Sequence, residues 1–378
     1  MKKTRNTLSE KKILIFLDTL LMGGAEKQAI LLSGYLKNTE KCNVEVWAID
    51  RAGKGAELLD ELGVPWKLHP LDRYAGKIKR IKELIKLIIA IRKFKPDIIM
   101  PFTYWPNVIC CAIWNFTGAK TCLWNQRDEG RGVTNHALEE YALKKAPVFV
   151  SNSEEGRLFL ANHLNIKKDN IRLIHNSVNL PNPIKSKEYW KNTLNINEKH
   201  FVATMIANLH GYKDHKTLLD AWKIVCDNTK NKTPILFLAG RFDHKYEELK
   251  LQAQELNIES NVRFLDQVDD IAGLLSVTDL GVFSSRFEGC PNGVLECMNA
   301  ELPMVATDII GIREALGDDY PYLAAISDYQ AFANHILTFI DNDDLRGKIA
   351  QMNLRRAEQE FSPQKMFSNY SKLIESVL

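Results

Sequence analysis

The residues best placed to do chemistry lie in one run, Ser284-Ser285-Arg286-Phe287-Glu288-Gly289-Cys290-Pro291-Asn292-Gly293-Val294-Leu295-Glu296, which sets two glutamates eight residues apart. Just upstream, Asp279-Leu280-Gly281-Val282-Phe283 reads as an inner parallel strand. Pro291 followed by Asn292 to Ala300 predicts a helix starting past a tight, glycine-containing turn. The first four N–H groups of a helix lack intrahelical acceptors, and the helix dipole adds partial positive charge. Asn292, Gly293, Val294 and Leu295 are therefore expected to cradle an anion such as a diphosphate. Glu288, in the loop, would reach a sugar beside it. Glu296, one turn into the helix, could accept two hydrogen bonds from vicinal ribose hydroxyls, since an ionised carboxylate is a pure bidentate acceptor. Paired glutamates also suit a two-carboxylate glycosidase, which needs both acids flanking one scissile bond, about 5 to 10 Å apart. The plainest alternative is a helix N-terminus carrying favourable acidic residues.

The elements that must hold these residues alternate along the chain. Short apolar runs at 13–18, 44–49, 98–102, 121–124 and 148–151 are separated by helix-length amphipathic stretches. A second series follows the break Leu180-Pro181-Asn182-Pro183, at 201–207, 235–239, 262–265, 280–284 and 304–307. Such alternation predicts an α/β fold of two Rossmann-like halves with parallel sheets, whose ligands bind at the carboxyl ends of the strands. Pro and Asn cluster over 177–190, which places the linker there and the domains at 1–180 and 181–362. Residues 363–378 read as a final helix with Met366, Tyr370, Leu373 and Ile374 on one face. In the first half the strand 13–18 runs into Met22-Gly23-Gly24-Ala25-Glu26 and then a helix, 27–36. The paired glycines let the backbone approach a bound group with the helix N-terminus aimed at it. The dinucleotide fingerprint Gly-x-Gly-x-x-Gly is absent from these strand-to-helix turns.

Composition narrows the partners. Fifty basic against 47 acidic residues leave a net charge of +3, which implies no nucleic-acid partner. Seven cysteines, an odd number without a Cys-x-x-Cys pair, argue for a reducing compartment and against a disulfide frame or a zinc site. The polar, basic stretch 1–12 and the lack of an apolar run near the roughly 18 residues needed to span a bilayer predict a cytoplasmic chain. The basic amphipathic segment 77–95 could lie on an anionic membrane, peripheral to its inner face. Alternatively it turns its apolar face to the sheet and its lysines merely solvate the other.

These segments resemble the retaining nucleotide-sugar glycosyltransferases of the two-domain GT-B type, family four. The run from Glu288 to Glu296 is similar to the family's Glu-x7-Glu signature, and Gly23-Gly24-Ala25-Glu26 looks like its first loop. The stretch from Met205 to Trp222 resembles its donor-phosphate loop, with Lys213 matching the lysine that precedes a Leu-Leu-x-Ala helix face. Many members carry an arginine where Asn208 stands, so His210, Arg286 or backbone groups would have to supply the missing donor. Leu238-Ala239-Gly240-Arg241 resembles the loop after the second strand. Val262 to Val268 resembles the segment where the base rests, read by Gln267 and Val268 through backbone groups, which leaves UDP and GDP both open. On the acceptor side Arg127 is the candidate, its alternative being a surface arginine paired with Asp128 or Glu129.

The resemblance implies two facing Rossmann-like domains with a cleft between them and a final helix packing back on the first domain, or else capping the second. It implies hexosyl or N-acetylhexosaminyl transfer, with retention, from a UDP- or GDP-linked donor to a glycan or lipid-linked glycan in cell-surface polysaccharide synthesis. Glu288 and Lys213 would be catalytic. Gly23, Gly24, Asn208, His210, Gln267, Val268, Asn292, Gly293, Val294, Leu295 and Glu296 would bind the donor. No cofactor, metal ligand or strict metal requirement is expected, since no Asp-x-Asp cluster stands beside the phosphate site. A GT-B nucleotide-sugar epimerase and a catalytically silent sugar-nucleotide-binding protein remain the alternatives.

Overall fold

The computed structural model describes residues 8–72, 76–130 and 136–378. β1 (Lys12–Leu17) is buried at every position after its first, as a parallel strand is when helices cover both faces of its sheet. With β2 (Asn43–Ala48), β3 (Trp66–Leu68), β4 (Ile98–Pro101), β5 (Thr121–Gln126), β6 (Val148–Ser151) and β7 (Ile171–Leu173) it forms a parallel sheet in the order β3-β2-β1-β4-β5-β6-β7. A second parallel sheet runs β10-β9-β8-β11-β12-β13. Its strands are β8 (His200–Ile206), β9 (Thr233–Ala239), β10 (Val262–Asp266), β11 (Leu280–Phe283), β12 (Met304–Thr307) and β13 (Leu323–Ala324). Both sheets and their alternating helices agree with the α/β class expected from the sequence.

Six helices matter below: α1 (Gly24–Asn38), α2 (Lys77–Phe94), α3 (His215–Asn228), α4 (Asn292–Asn299), α5 (Ile310–Leu316) and α6 (Pro363–Val377). The period-two alternation of β1 sorts the first core into two layers. Ile13, Ile15 and Leu17 share one layer with Met366, Tyr370, Leu373 and Ile374 of α6, while Leu14 and Phe16 meet Leu87 and Ile91 of α2 in the other. The chain divides into two compact units, one ending at Asn176 and taking in Gln364–Leu378, the other Ser177–Pro363. Residues 177–180, expected to close the first domain, are held instead by the second unit. The Val178 N–H donates to the Phe361 carbonyl (2.8 Å) and the Leu180 N–H to Asn299 Oδ1 (2.9 Å).

Candidate active site

In the second sheet the strand order reverses between β8 and β11, and crossovers leaving in opposite directions open a crevice at the carboxyl ends of those two strands. The loop after β8 carries Lys213 and the loop after β11 carries Glu288. Residues 75 apart in sequence thus meet, and the Lys213 ammonium donates to Glu288 Oε1. Both side chains are largely enclosed, 14% and 8% exposed. The ammonium also lies 5.1 Å from the Phe283 ring centroid and 5.3 Å from that of Tyr212, close enough for cation–π attraction. The two loops are laced together. The Arg286 N–H donates to the Tyr212 carbonyl (2.9 Å) and Ser284 Oγ to the Lys213 carbonyl (3.0 Å). Asp214, left-handed at φ 50°, accepts from Thr217 Oγ1 (2.8 Å) and Arg286 Nε (2.9 Å) through one oxygen.

Two glycines press helices against this crevice. A Cβ on Gly293 would sit 2.2 Å from the Ile206 carbonyl at the end of β8, so only glycine lets α4 start there. A Cβ on Gly311 of α5 would come within 2.2 and 2.4 Å of the carbonyls of Gly289 and Glu288, so that helix buttresses the Glu288 loop. The expected set of four helix-start donors needs correcting. The N–H groups of Val294 and Leu295 both reach the Pro291 carbonyl (3.1 and 3.2 Å), because the capping residue's own carbonyl serves the first turn, and both side chains are fully buried. Asn292 and Gly293, the first two residues of α4, lie too close to Pro291 in the chain to bond its carbonyl in this way. Glu296 is half-buried on α4, and its charge adds to burial in pushing the neighbouring Cys297 thiol up.

Both side chains suggested in place of an arginine at 208 have protein partners. Arg286 bonds Asp214 and, through Nη2, Ser327 Oγ (3.1 Å). His210 stacks on Tyr212, and its Nδ1 lies 2.7 Å from Asp243. Burial lowers the His210 pKa. Asp243 opposes that shift, while the charges of Arg241, Lys213 and His244 reinforce it. Asn208 has a different use, since its Oδ1 accepts the Arg241 N–H (3.0 Å) while the Leu209 N–H donates to the Arg241 carbonyl (3.2 Å). The residue in the arginine position thus fixes the backbone of an arginine on the next loop. Arg241 is exposed and near enough to act on His210. Sequence reasoning gave Arg241 no role; its one signal was its place directly after a strand and Gly240.

His210, Asp243 and His244 are the described residues whose grouping could hold a metal ion, with ligand atoms within 4.8 Å of one another, although Asp243 already bonds both imidazoles. Gln267 is exposed beyond β10, whereas Val268 turns its side chain into a small core with Phe237 and Leu274.

Gly23, Gly24 and Arg127 belong to the first unit, at the carboxyl ends of β1 and β5. Gly23 caps α1, and a Cβ there would lie 2.3 Å from Glu26 Oε2, so the Glu26 carboxyl folds back over the helix start. Burial holds that carboxyl above its ordinary range, against the pull of the Arg127 charge. Arg127 donates to Asn176 Oδ1 and lies 5.4 Å over the Phe102 ring, while Asp128 accepts from Gln126 Nε2 (2.6 Å) and the Gly130 N–H (2.9 Å). Arg127 is therefore built into the carboxyl-end surface of the first sheet and does not pair with Asp128. Glu26 was missed as a partner; an acidic residue in a helix's first turn beside paired glycines was the available signal.

Residues 22–181 match the family described as Glycosyltransferase Family 4, and residues 186–356 match Glycosyl transferases group 1. An uncharacterized glycosyltransferase of Methanocaldococcus jannaschii is 23% identical across 100% of this chain and 95% of its own. The Escherichia coli UDP-Gal:alpha-D-GlcNAc-diphosphoundecaprenol alpha-1,3-galactosyltransferase is 21% identical across 77% of this chain and 78% of its own. Among solved structures, Anabaena HepE in complex with UDP and glucose superposes with a TM-score of 0.83 at 19% identity, covering 97% of this chain and 100% of that one.

Proposed function

This chain belongs to the group 1 glycosyltransferases of GT-B fold, and we propose that it moves a sugar from a nucleoside diphosphate to a glycan or lipid-linked glycan, retaining anomeric configuration. The observation that carries the reading is the meeting of Lys213 and Glu288 at the switch point of the second sheet. A departing diphosphate gains negative charge as the sugar gains positive charge, and fixed groups of opposite sign at the two places favour the transition state over the ground state. Lys213, the start of α4 at Asn292 and Gly293, and Arg241 supply the positive side. The Glu288 carboxylate faces the developing charge on the sugar, and Glu296 takes the ribose hydroxyls. The acceptor hydroxyl attacks on the face the phosphate leaves, and a phosphate oxygen takes its proton, so no dedicated base is needed. With basic side chains placed for the diphosphate, turnover is expected not to require a divalent cation.

The transferred unit is a hexosyl or N-acetylhexosaminyl group and the base uridine or guanosine, with uridine favoured by HepE, whose structure holds UDP. The galactosyltransferase relative acts on a diphosphoundecaprenol-linked sugar, which supports a lipid-linked acceptor, work at the inner face of the plasma membrane and a place in cell-surface polysaccharide synthesis. No helix among the described residues is long and apolar enough to cross a membrane. The test is a thermal-shift screen against UDP, GDP, ADP and their sugar conjugates, with and without Mg²⁺, because a ligand that binds only the native state raises the midpoint. A base-selective, metal-independent shift that Glu296→Ala abolishes is expected; no shift at millimolar ligand would overturn the site.

A further inference from the structure

Helix α2 carries two apolar faces where covering a sheet needs one. Leu87 and Ile91 are buried against the first sheet, with Leu84, Ile88 and Phe94 packed beside them. At about 100° per residue, Ile78, Ile81, Ile85 and Ile89 fall on the opposite pole, and they are 74, 57, 49 and 60% exposed. One exposed isoleucine needs no explanation, but a row along three turns does. Helix propensity does not supply it, because β-branched side chains are poorer helix formers than the lysine or glutamate such a position usually takes.

Charge identifies the occupant. The helix holds seven basic residues and one acid, Glu83. That acid is turned to the loop before the helix, where Glu83 accepts the Asp72 N–H (3.0 Å). Lys82, Lys86 and Lys93 are exposed along one flank of the isoleucine row. At its far end Arg92 Nε donates to the Phe116 carbonyl (2.7 Å), which brings Phe116, 54% exposed, beside the row. An apolar strip bordered by lysines on a helix about 27 Å long matches the interface of an anionic bilayer, where side chains enter the acyl boundary and ammonium groups meet lipid phosphates.

We propose that this face of α2 docks the protein on an anionic lipid surface, with Ile78, Ile81, Ile85 and Ile89 inserted and the flanking lysines on the headgroups. Its purpose, delivery of a lipid-linked acceptor, rests on the transferase reading; its evidence does not. The full-length protein is sedimented with vesicles of phosphatidylcholine alone and with about 30 mol % phosphatidylglycerol. Binding to the anionic vesicles only, weakened by salt, is expected. A triple variant, Ile81→Ser with Ile85→Ser and Ile89→Ser, should lower partitioning about tenfold or more. Lys82→Glu with Lys86→Glu should abolish the preference for anionic lipid. Both variants should keep the native melting temperature and transfer to a water-soluble acceptor.

Wild-type protein that ignores anionic vesicles, or a triple variant that binds as the wild type does, would overturn the proposal. So would lipid-free self-association removed by the same serines, which would assign the row to a second copy. A failed nucleotide shift would strike the transferase reading and leave this one standing.

Discussion

Replacing Lys213 by methionine keeps the apolar stem and deletes the charge, which leaves the Glu288 carboxylate enclosed without its cation. Breaking a buried pair from one side is destabilising by about 3 to 5 kcal/mol, and with exposures of 14% and 8% this pair belongs near 3. For the second unit, residues 177–363, each kcal/mol moves the midpoint by about 2 to 4 °C, so Lys213→Met should lower its transition by roughly 6 to 12 °C. Glu288→Gln should be milder, about 1 to 2 kcal/mol, because a lysine stem can carry its ammonium outward to water. The double variant leaves neither charge unpaired and should recover about 2 kcal/mol relative to the sum of the singles. Scanning calorimetry on the three variants measures that coupling directly. Additivity within about 0.5 kcal/mol would refute the reasoning, since it would mean that each group is solvated independently and the ion pair does not organise the site. Turnover distinguishes structure from chemistry: the double variant should regain stability yet stay at least about a hundredfold slower, the scale of losing one preorganised electrostatic group.

Arg241→Ala should weaken binding of a nucleoside diphosphate about tenfold and of the monophosphate much less, measured by calorimetric titration, with an unchanged midpoint; equal losses for both ligands would remove the guanidinium from the β-phosphate. Asn208→Arg introduces the arginine that the family resemblance implies but deletes the acceptor of the Arg241 N–H. It should therefore lower donor affinity, and a tighter binder would show that Asn208 is a plain loss. His215 is buried, and its pKa is pushed down to about 3, chiefly by burial and then by the Lys213 charge. A base whose folded pKa lies below its unfolded value of about 6.5 gives its full contribution above pH 6.5. That contribution falls by up to about 1.4 kcal/mol per unit as pH drops from 6.5 toward 3. His215→Leu should accordingly flatten the fall in melting temperature between pH 6 and 4; parallel curves would mean that the imidazole is not protonated on unfolding.

What the sequence disclosed follows from which interactions are local. The inner strands were legible because both their faces are covered, which leaves unbroken apolar runs such as Ile13–Leu17. The missed strands, Trp66–Leu68, Ile171–Leu173 and Leu323–Ala324, are two or three residues long and sit at sheet edges, where one flank lacks a partner and the apolar run shortens. Lys213 and Glu288 were legible as loop residues after strands, but their pairing depends on β8 lying beside β11, a fact of strand order that no 75-residue window contains.

The helix start shows the opposite failure, in which a local rule reaches two residues too far. Counting four donors from Asn292 overlooks that the cap carbonyl of Pro291 already serves the first turn, where it accepts from the Val294 and Leu295 N–H groups. Arg241 stayed hidden for a further reason: its placement is set by a side chain 33 residues away, and that side chain looked like a defect. Asn208 holds the backbone of Arg241 on the next loop, so a departure from a family pattern becomes legible only when the residue it now holds is known.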